Sequence, residues 1–255
     1  MFKHKSNETA HDKTKSRMAA IFSDPIKTAE FYEKNPFAKV FHTEKLKQNP
    51  RLYDSADAKV VASKWTNDTR QLVLEIGCHH GALIRRWAQT YKQTDFLGID
   101  VTYKRVVRTA LGKRNDQPLA NLRSILHNAQ SISECFTKNE LSGVCLFFPD
   151  PWPKKRQRKH RYVNESFLKQ VYEVLKPGGF FWFKSDDISY YQQAFLAAQT
   201  CGLEFPSISL PKAGEYFSPQ SLLSGPKDAH MTLFERKFYD RKQTTYNFYG
   251  VKPAS

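Results

Sequence analysis

The segment Phe147-Phe148-Pro149-Asp150-Pro151-Trp152-Pro153 sets an acid and an indole among three prolines, and Lys154 to Arg161 then carries six Lys and Arg in eight residues. Proline fixes φ and lacks an N–H, so this spacing predicts an extended, stiff loop and not a helix. A carboxylate held in such a loop can accept hydrogen bonds from a base edge. An indole beside it can stack on a ring, and the cations that follow can grip phosphates. Taken alone, KKRQRKHR reads as a solvated basic loop; it gains weight from its neighbours.

A second cluster suits a different ligand. Glu75-Ile76-Gly77-Cys78-His79-His80-Gly81 follows an apolar run, and glycine there lets a backbone turn tightly and approach a ligand closely. Asp100 lies 25 residues beyond Glu75 and ends a second apolar run, where a carboxylate can accept from both hydroxyls of a ribose. Asn128 follows a third run, and its amide can read an adenine edge. The three describe a pocket for an adenosine-containing cofactor, open to NAD and to S-adenosylmethionine. Cys78, His79 and His80 are consecutive, so their side chains diverge and do not predict a metal site. The four cysteines show no CxxC pair, which disfavours both zinc and disulfides.

These residues need elements to position them. From Gln71 onward, short β-type runs (72–76, 95–100, 122–126, 143–148, 179–184) alternate with segments of helical spacing (ALIRRWAQTYK, YKRVVRTAL, NESFLKQVYEVL, ISYYQQAFLAAQT). Such alternation implies right-handed crossovers and a doubly wound, mostly parallel α/β sheet covered on both faces. Ligands of such sheets bind outside the carboxyl ends of the strands. After Pro206 the rhythm changes: SISL reads as a strand, 211–229 are rich in Gly, Pro, Ser and Lys, and MTLFERKFY (231–239) reads as strand-like, together making a late hairpin on the sheet edge. Residues 1–20 read as a mobile basic arm and 21–70 as a largely helical extension. The main domain is then 71–240 and the C-terminal tail 241–255.

Composition agrees with a folded, basic protein. Of 255 residues, 40% are hydrophobic, and 40 Lys plus Arg against 25 Asp plus Glu leave a formal charge of +15, which favours a polyanionic partner. No apolar run is long enough to span a bilayer and no signal-peptide core opens the chain, so a cytoplasmic protein without membrane association is expected.

FPDPWPKKRQRKHR followed by NESFL resembles the signature of the tRNA (guanine-N7)-methyltransferase family, and EIG at Glu75, GID at 98–100, NA at 128–129, FKSDD at 183–187 and TLFE at 232–235 fall in that family's order. The Glu before the glycine turn and LKPGGFF (175–181) are similar to class I methyltransferases. The resemblance implies a Rossmann-like class I fold, S-adenosylmethionine as cofactor and tRNA as substrate. It further implies a cofactor pocket of Glu75, Gly77, Asp100, Asn128 and Ala129, with Asp150 as the central acid at cofactor and guanine alike. Lys154, Asp186, Thr232 and Glu235 would line the substrate pocket. His79 stands where the family usually has a second glycine, which predicts crowding of the cofactor's approach, and GID replaces the more usual GIE. A non-catalytic RNA-binding protein on this fold, or a methyltransferase with another RNA target, are the rival readings. A dinucleotide oxidoreductase is disfavoured, because the first turn lacks GxGxxG.

Overall fold

The computed structural model describes residues 52–53, 70–112, 116, 119–205, 219, 222 and 230–254. All lie in one compact unit, Pro50–Ser255. The proposed arm, all of the extension except 52–53 and Arg70, and the SISL strand fall outside the described residues.

The strands are β1 (Leu52–Tyr53), β2 (Gln71–Ile76), β3 (Thr94–Asp100), β4 (Leu122–Leu126), β5 (Leu141–Phe147), β6 (Leu175–Ser185) and β7 (Tyr246–Val251). They form one sheet in the order β1-β4-β3-β2-β5-β6-β7, parallel throughout except where β7 runs antiparallel to β6. Among the described residues the α-helices are α1 (Ala82–Thr90), α2 (Tyr103–Leu111), α3 (Ile132–Cys135), α4 (Glu165–Val174), α5 (Ile188–Thr200) and α6 (Leu233–Asp240). None of the described helices is long and apolar enough to cross a membrane.

The strands read as near-continuous apolar runs because both faces are covered. Alternate residues feed two cores: Leu72, Leu74 and Ile76 of β2 join Phe167, Leu168 and Val171 of α4 and Tyr190 and Ala194 of α5. Val73 instead faces Leu83, Ile84 and Trp87 of α1, with Cys145 and Trp182. Glu75 has the same parity as Val73 and is a buried carboxylate at the end of that second face. Chain order runs outward from β2 through β3 and β4 on one side and from β5 through β6 on the other. The reversal between β2 and β5 opens a crevice at their carboxyl ends, the usual ligand site of an open α/β sheet.

Two expectations near the C-terminus fail. The 231–239 stretch is no strand: Leu233–Asp240 is a helix with Thr232 as N-cap, where the Thr232 side chain accepts from the Glu235 N–H and the Glu235 side chain accepts from the Thr232 N–H. This reciprocal capping box satisfies two backbone donors at once and outweighs the β-type look of the residues. The late antiparallel strand lies instead at Tyr246–Val251, inside what reads in sequence as a tail, with Phe248 buried in the first core. Leu52–Tyr53, within the extension, pairs with β4 and is likewise part of the sheet.

Candidate functional site

A cleft of about 660 Å³ opens at the β2/β5 switch point, in the size range of small-molecule sites. Its floor includes Glu75 and Gly77, one wall Asp100 and Ala129, the opposite rim Phe148, Pro149 and Asp150, and its roof Thr232 and Phe234 of α6.

The glycine turn keeps its shape despite the histidine. Gly77 has φ +72 and nothing within 4 Å of where a Cβ would stand, while at Gly81, φ +69, a Cβ would lie 2.7 Å from Thr109 Cα. His79 adopts the left-handed region itself, with φ 52, where a non-glycine residue is strained. Its backbone N–H donates to Asp100 Oδ2 at 3.1 Å, and its ring meets His80 at 4.0 Å and Phe234 at 5.9 Å between centroids. His79 thus keeps the turn by taking up the left-handed backbone itself, and it stands among the residues that line the cleft. Cys78 turns away, its Sγ 3.3 Å from Thr109 Oγ1, so the three residues do not converge.

Glu75 is buried and its Oε2 has no hydrogen-bond partner. Burial, reinforced by the negative charge of Asp100, pushes its carboxyl up to about 8, against weaker opposing help from the Ile84 amide and Lys184. Asp100 accepts from the N–H groups of His79 and Thr102, the latter at 2.8 Å, and pairs with Arg105 at 3.6 Å. An ionised carboxylate has about four lone-pair sites, so acceptor capacity remains. The shorter Asp of GID therefore braces the turn from the cleft wall. Asn128 is placed otherwise: it is exposed, does not line the cleft, and its Oδ1 accepts from Gln130 N–H and Tyr162 O–H. Its neighbours His127 and Ala129, with Tyr162, are the lining residues there.

The residues present fit S-adenosylmethionine. The donor is cationic at sulfur and at its amino group, and the cleft offers it an unsatisfied buried carboxylate, a second carboxylate with spare capacity, and a glycine turn with open space before it.

Asp150 is exposed on the rim, on the loop that leaves β5. Phe148 and Trp152, two residues to either side, both have positive φ, 51 and 43. Phe148 N–H donates to Lys184 O at 2.8 Å and its ring packs on Phe238 of α6, while Trp152 packs on His160 at 5.4 Å. The loop has no helix through Pro153, as its prolines require, but Lys155–His160 winds into a 3₁₀ helix, with Lys154 exposed at its start. Arg161 leaves the basic run altogether: it is 2% exposed and bonded to protein groups.

The remaining sequence candidates divide. Thr232 caps α6 on the cleft roof. Glu235 does not line the cleft; its Oε2 accepts from Lys184 Nζ at 2.7 Å. Lys184, 1% exposed, also donates to His230 O at 2.9 Å and lies over the Phe147 and Trp182 rings. Asp186 is exposed and outside the cleft. Lys184 and Tyr162 escape the sequence reading of the site, and Arg161, read there as one of the phosphate-gripping cations, is instead buried against protein groups. A lysine ending the apolar GFFWFK strand is a signal for the first, since a buried cation needs a partner; Tyr162 carries none.

A doubly wound sheet with this cleft at its switch point is the fold of class I methyltransferases. Among solved structures, an antibiotic-related methyltransferase shares the fold, with TM-score 0.51 and 15% identity over 76% of this chain and 92% of that one. An aminoglycoside resistance methyltransferase, NpmB1, does so with TM-score 0.50 and 14% identity over 76% and 93%. Residues 69–248 match the family model described as "Putative methyltransferase". A tRNA (guanine-N(7)-)-methyltransferase of Lactococcus lactis subsp. cremoris is 30% identical over 192 residues, 75% of this chain and 84% of that protein. The same enzyme of Latilactobacillus sakei is 28% identical over 189 residues, 73% and 84%. The chain belongs to the tRNA (guanine-N7)-methyltransferase family.

Proposed function

We propose that the chain transfers the methyl group of S-adenosylmethionine to N7 of a guanine in tRNA, in the cytoplasm. The observation that carries this reading is the placement of Asp150 on the rim of the cleft that has Glu75 at its floor, with an exposed basic 3₁₀ helix immediately after it. The relatives named for this reaction add the substrate and the atom.

S-adenosylmethionine, when bound, supplies a methyl group made electrophilic by its sulfonium. Glu75, Gly77, Asp100 and Ala129 are the residues that would hold it. Guanine N7 presents a lone pair and no proton, so no protein group has to remove one. The work left to the chain is placement and charge. Asp150 accepts hydrogen bonds from the guanine edge and offsets the positive charge that grows on the ring, a contribution larger at the end of the reaction than at its start. Lys154 to Lys159 hold the RNA through phosphates.

The test is incubation of the purified chain with methyl-labelled S-adenosylmethionine and bulk tRNA, followed by nucleoside analysis. Label is expected in 7-methylguanosine; label confined to another nucleoside, or none, overturns the reading.

A further inference from the structure

We propose that Arg161 is the positioning residue for Asp150, holding the catalytic loop from behind instead of contacting RNA with the rest of the basic run. Among the described residues no backbone–backbone hydrogen bond reaches residues 149–153, a consequence of prolines at 149, 151 and 153 and of positive φ at Phe148 and Trp152. The tie to that pentapeptide comes from a side chain: Arg161 Nε donates to Pro151 O at 2.8 Å, the carbonyl directly after Asp150.

The guanidinium is fixed at its other end as well. Nη1 donates to Gln193 Oε1 at 2.9 Å, and Nη2 to Ser189 Oγ at 2.8 Å and Asp187 Oδ1 at 3.3 Å. Its central carbon lies 4.8 Å from the Tyr190 ring centroid, and Tyr190 Oη accepts from Val163 N–H. Asp187 is itself held as N-cap of α5 by Tyr190 N–H and Ser189 Oγ. The loop is therefore referenced to the first turns of helix α5, whose Tyr190 is buried in the core. A planar, five-donor guanidinium can meet a carbonyl and three oxygen partners at once, which an ammonium cannot do with the same geometry. With its side chain 1% exposed, Arg161 presents no surface to a phosphate.

The inference rests on the proposed function, and its test separates the two. Full-length wild type, Arg161→Met, Arg161→Lys and Gln193→Leu are compared in steady-state methyl transfer to tRNA, in tRNA binding across a salt series, and in thermal unfolding. For Arg161→Met, kcat is expected to fall roughly a hundredfold, the scale of an ångström-level misplacement, while KM for tRNA and the salt slope of binding stay at the wild-type values. Arg161→Lys recovers part of kcat. Gln193→Leu, which leaves the Pro151 contact in place, lowers kcat severalfold at unchanged KM and decides the matter if Arg161→Met does not fold. A salt slope reduced by about one with kcat retained would make Arg161 a phosphate contact and overturn the proposal. So would a loss of kcat no greater than the loss of folded protein. An inactive wild type refutes the function; an active one with indifferent variants refutes only the role of Arg161.

Discussion

Glu75 and Asp150 are two carboxylates with opposite surroundings, and the contrast assigns them different work. Glu75 is buried beside Asp100 and its carboxyl is pushed up to about 8, so the ligand-free fold holds a proton that the unfolded chain releases once pH exceeds the ordinary carboxylate value. Rising pH through that window therefore costs the empty protein stability. A cationic cofactor favours the ionised acid and must displace the proton on binding. Affinity for S-adenosylmethionine is accordingly expected to rise with pH, by up to about tenfold per unit below pH 8, with proton release visible in calorimetry in buffers of different ionisation enthalpy. Glu75→Gln should bind more weakly and lose most of that slope. The residual slope belongs to His79 and His80, which burial holds below the usual imidazole range on the same wall. A wild type whose affinity is flat from pH 5.5 to 7.5 would remove Glu75 from the cofactor site. Asp150 lies exposed at the rim. Asp150→Ala is expected to lose about a hundredfold or more in turnover while keeping tRNA retention on a filter and the cofactor's affinity. Unchanged turnover would exclude it from the mechanism.

Helix α6 shows how a small element depends on one buried pair. Lys184 of β6 and Glu235 of α6 meet at 2.7 Å with side chains 1% and 13% exposed, and the same Glu235 oxygen accepts from Thr232 N–H. Burial depresses the Lys184 ammonium and Glu235 opposes that depression, so removing the carboxylate leaves a cation with the wrong solvent. Glu235→Gln is expected to cost about 3 kcal/mol in urea unfolding and to lower cofactor affinity, because the cleft roof loses its anchor. A variant as stable as wild type, with only tRNA affinity reduced, would restore Glu235 to the substrate pocket. The strands and helices from Gln71 to Thr200 were legible in the sequence because their apolar period is clean and both faces of the sheet are covered. Helix α6 was not, since Met231 to Tyr239 is rich in aromatic residues of the kind strands favour and buries no side chain that would mark a helical face. The Thr232-x-x-Glu235 box was the legible counter-signal. At the site, Glu75, Gly77, Asp100, Ala129, Asp150 and Thr232 line one cleft. Asn128, Lys154, Asp186 and Glu235 lie outside it; for Asn128 and Glu235 the reason is that a motif records which residue stands at a position and leaves open which partner has claimed its polar atoms.

At the scale of the molecule, the cleft at the sheet's switch point and the exposed basic 3₁₀ helix lie close together in the chain, joined by the loop that leaves β5. The five cations Lys154, Lys155, Arg156, Arg158 and Lys159 are all exposed around the 3₁₀ helix that follows the Asp150 loop, whereas the sixth of the run, Arg161, is buried. Phosphate binding by surface cations is an ion-exchange process, so its signature is the dependence of affinity on salt and not affinity at one condition. Replacing all five by Gln removes at most five phosphate contacts and should flatten the log–log salt slope of tRNA binding by roughly 3 to 4, with S-adenosylmethionine affinity and thermal stability held. Because these residues grip backbone and not base, the loss should be nearly the same for every tRNA tested. Turnover at saturating tRNA should be largely kept, separating this surface from Asp150 a few residues away. A slope that does not change would move the RNA footprint off this surface, and with it the argument that the loop delivers a guanine to the cleft from this side.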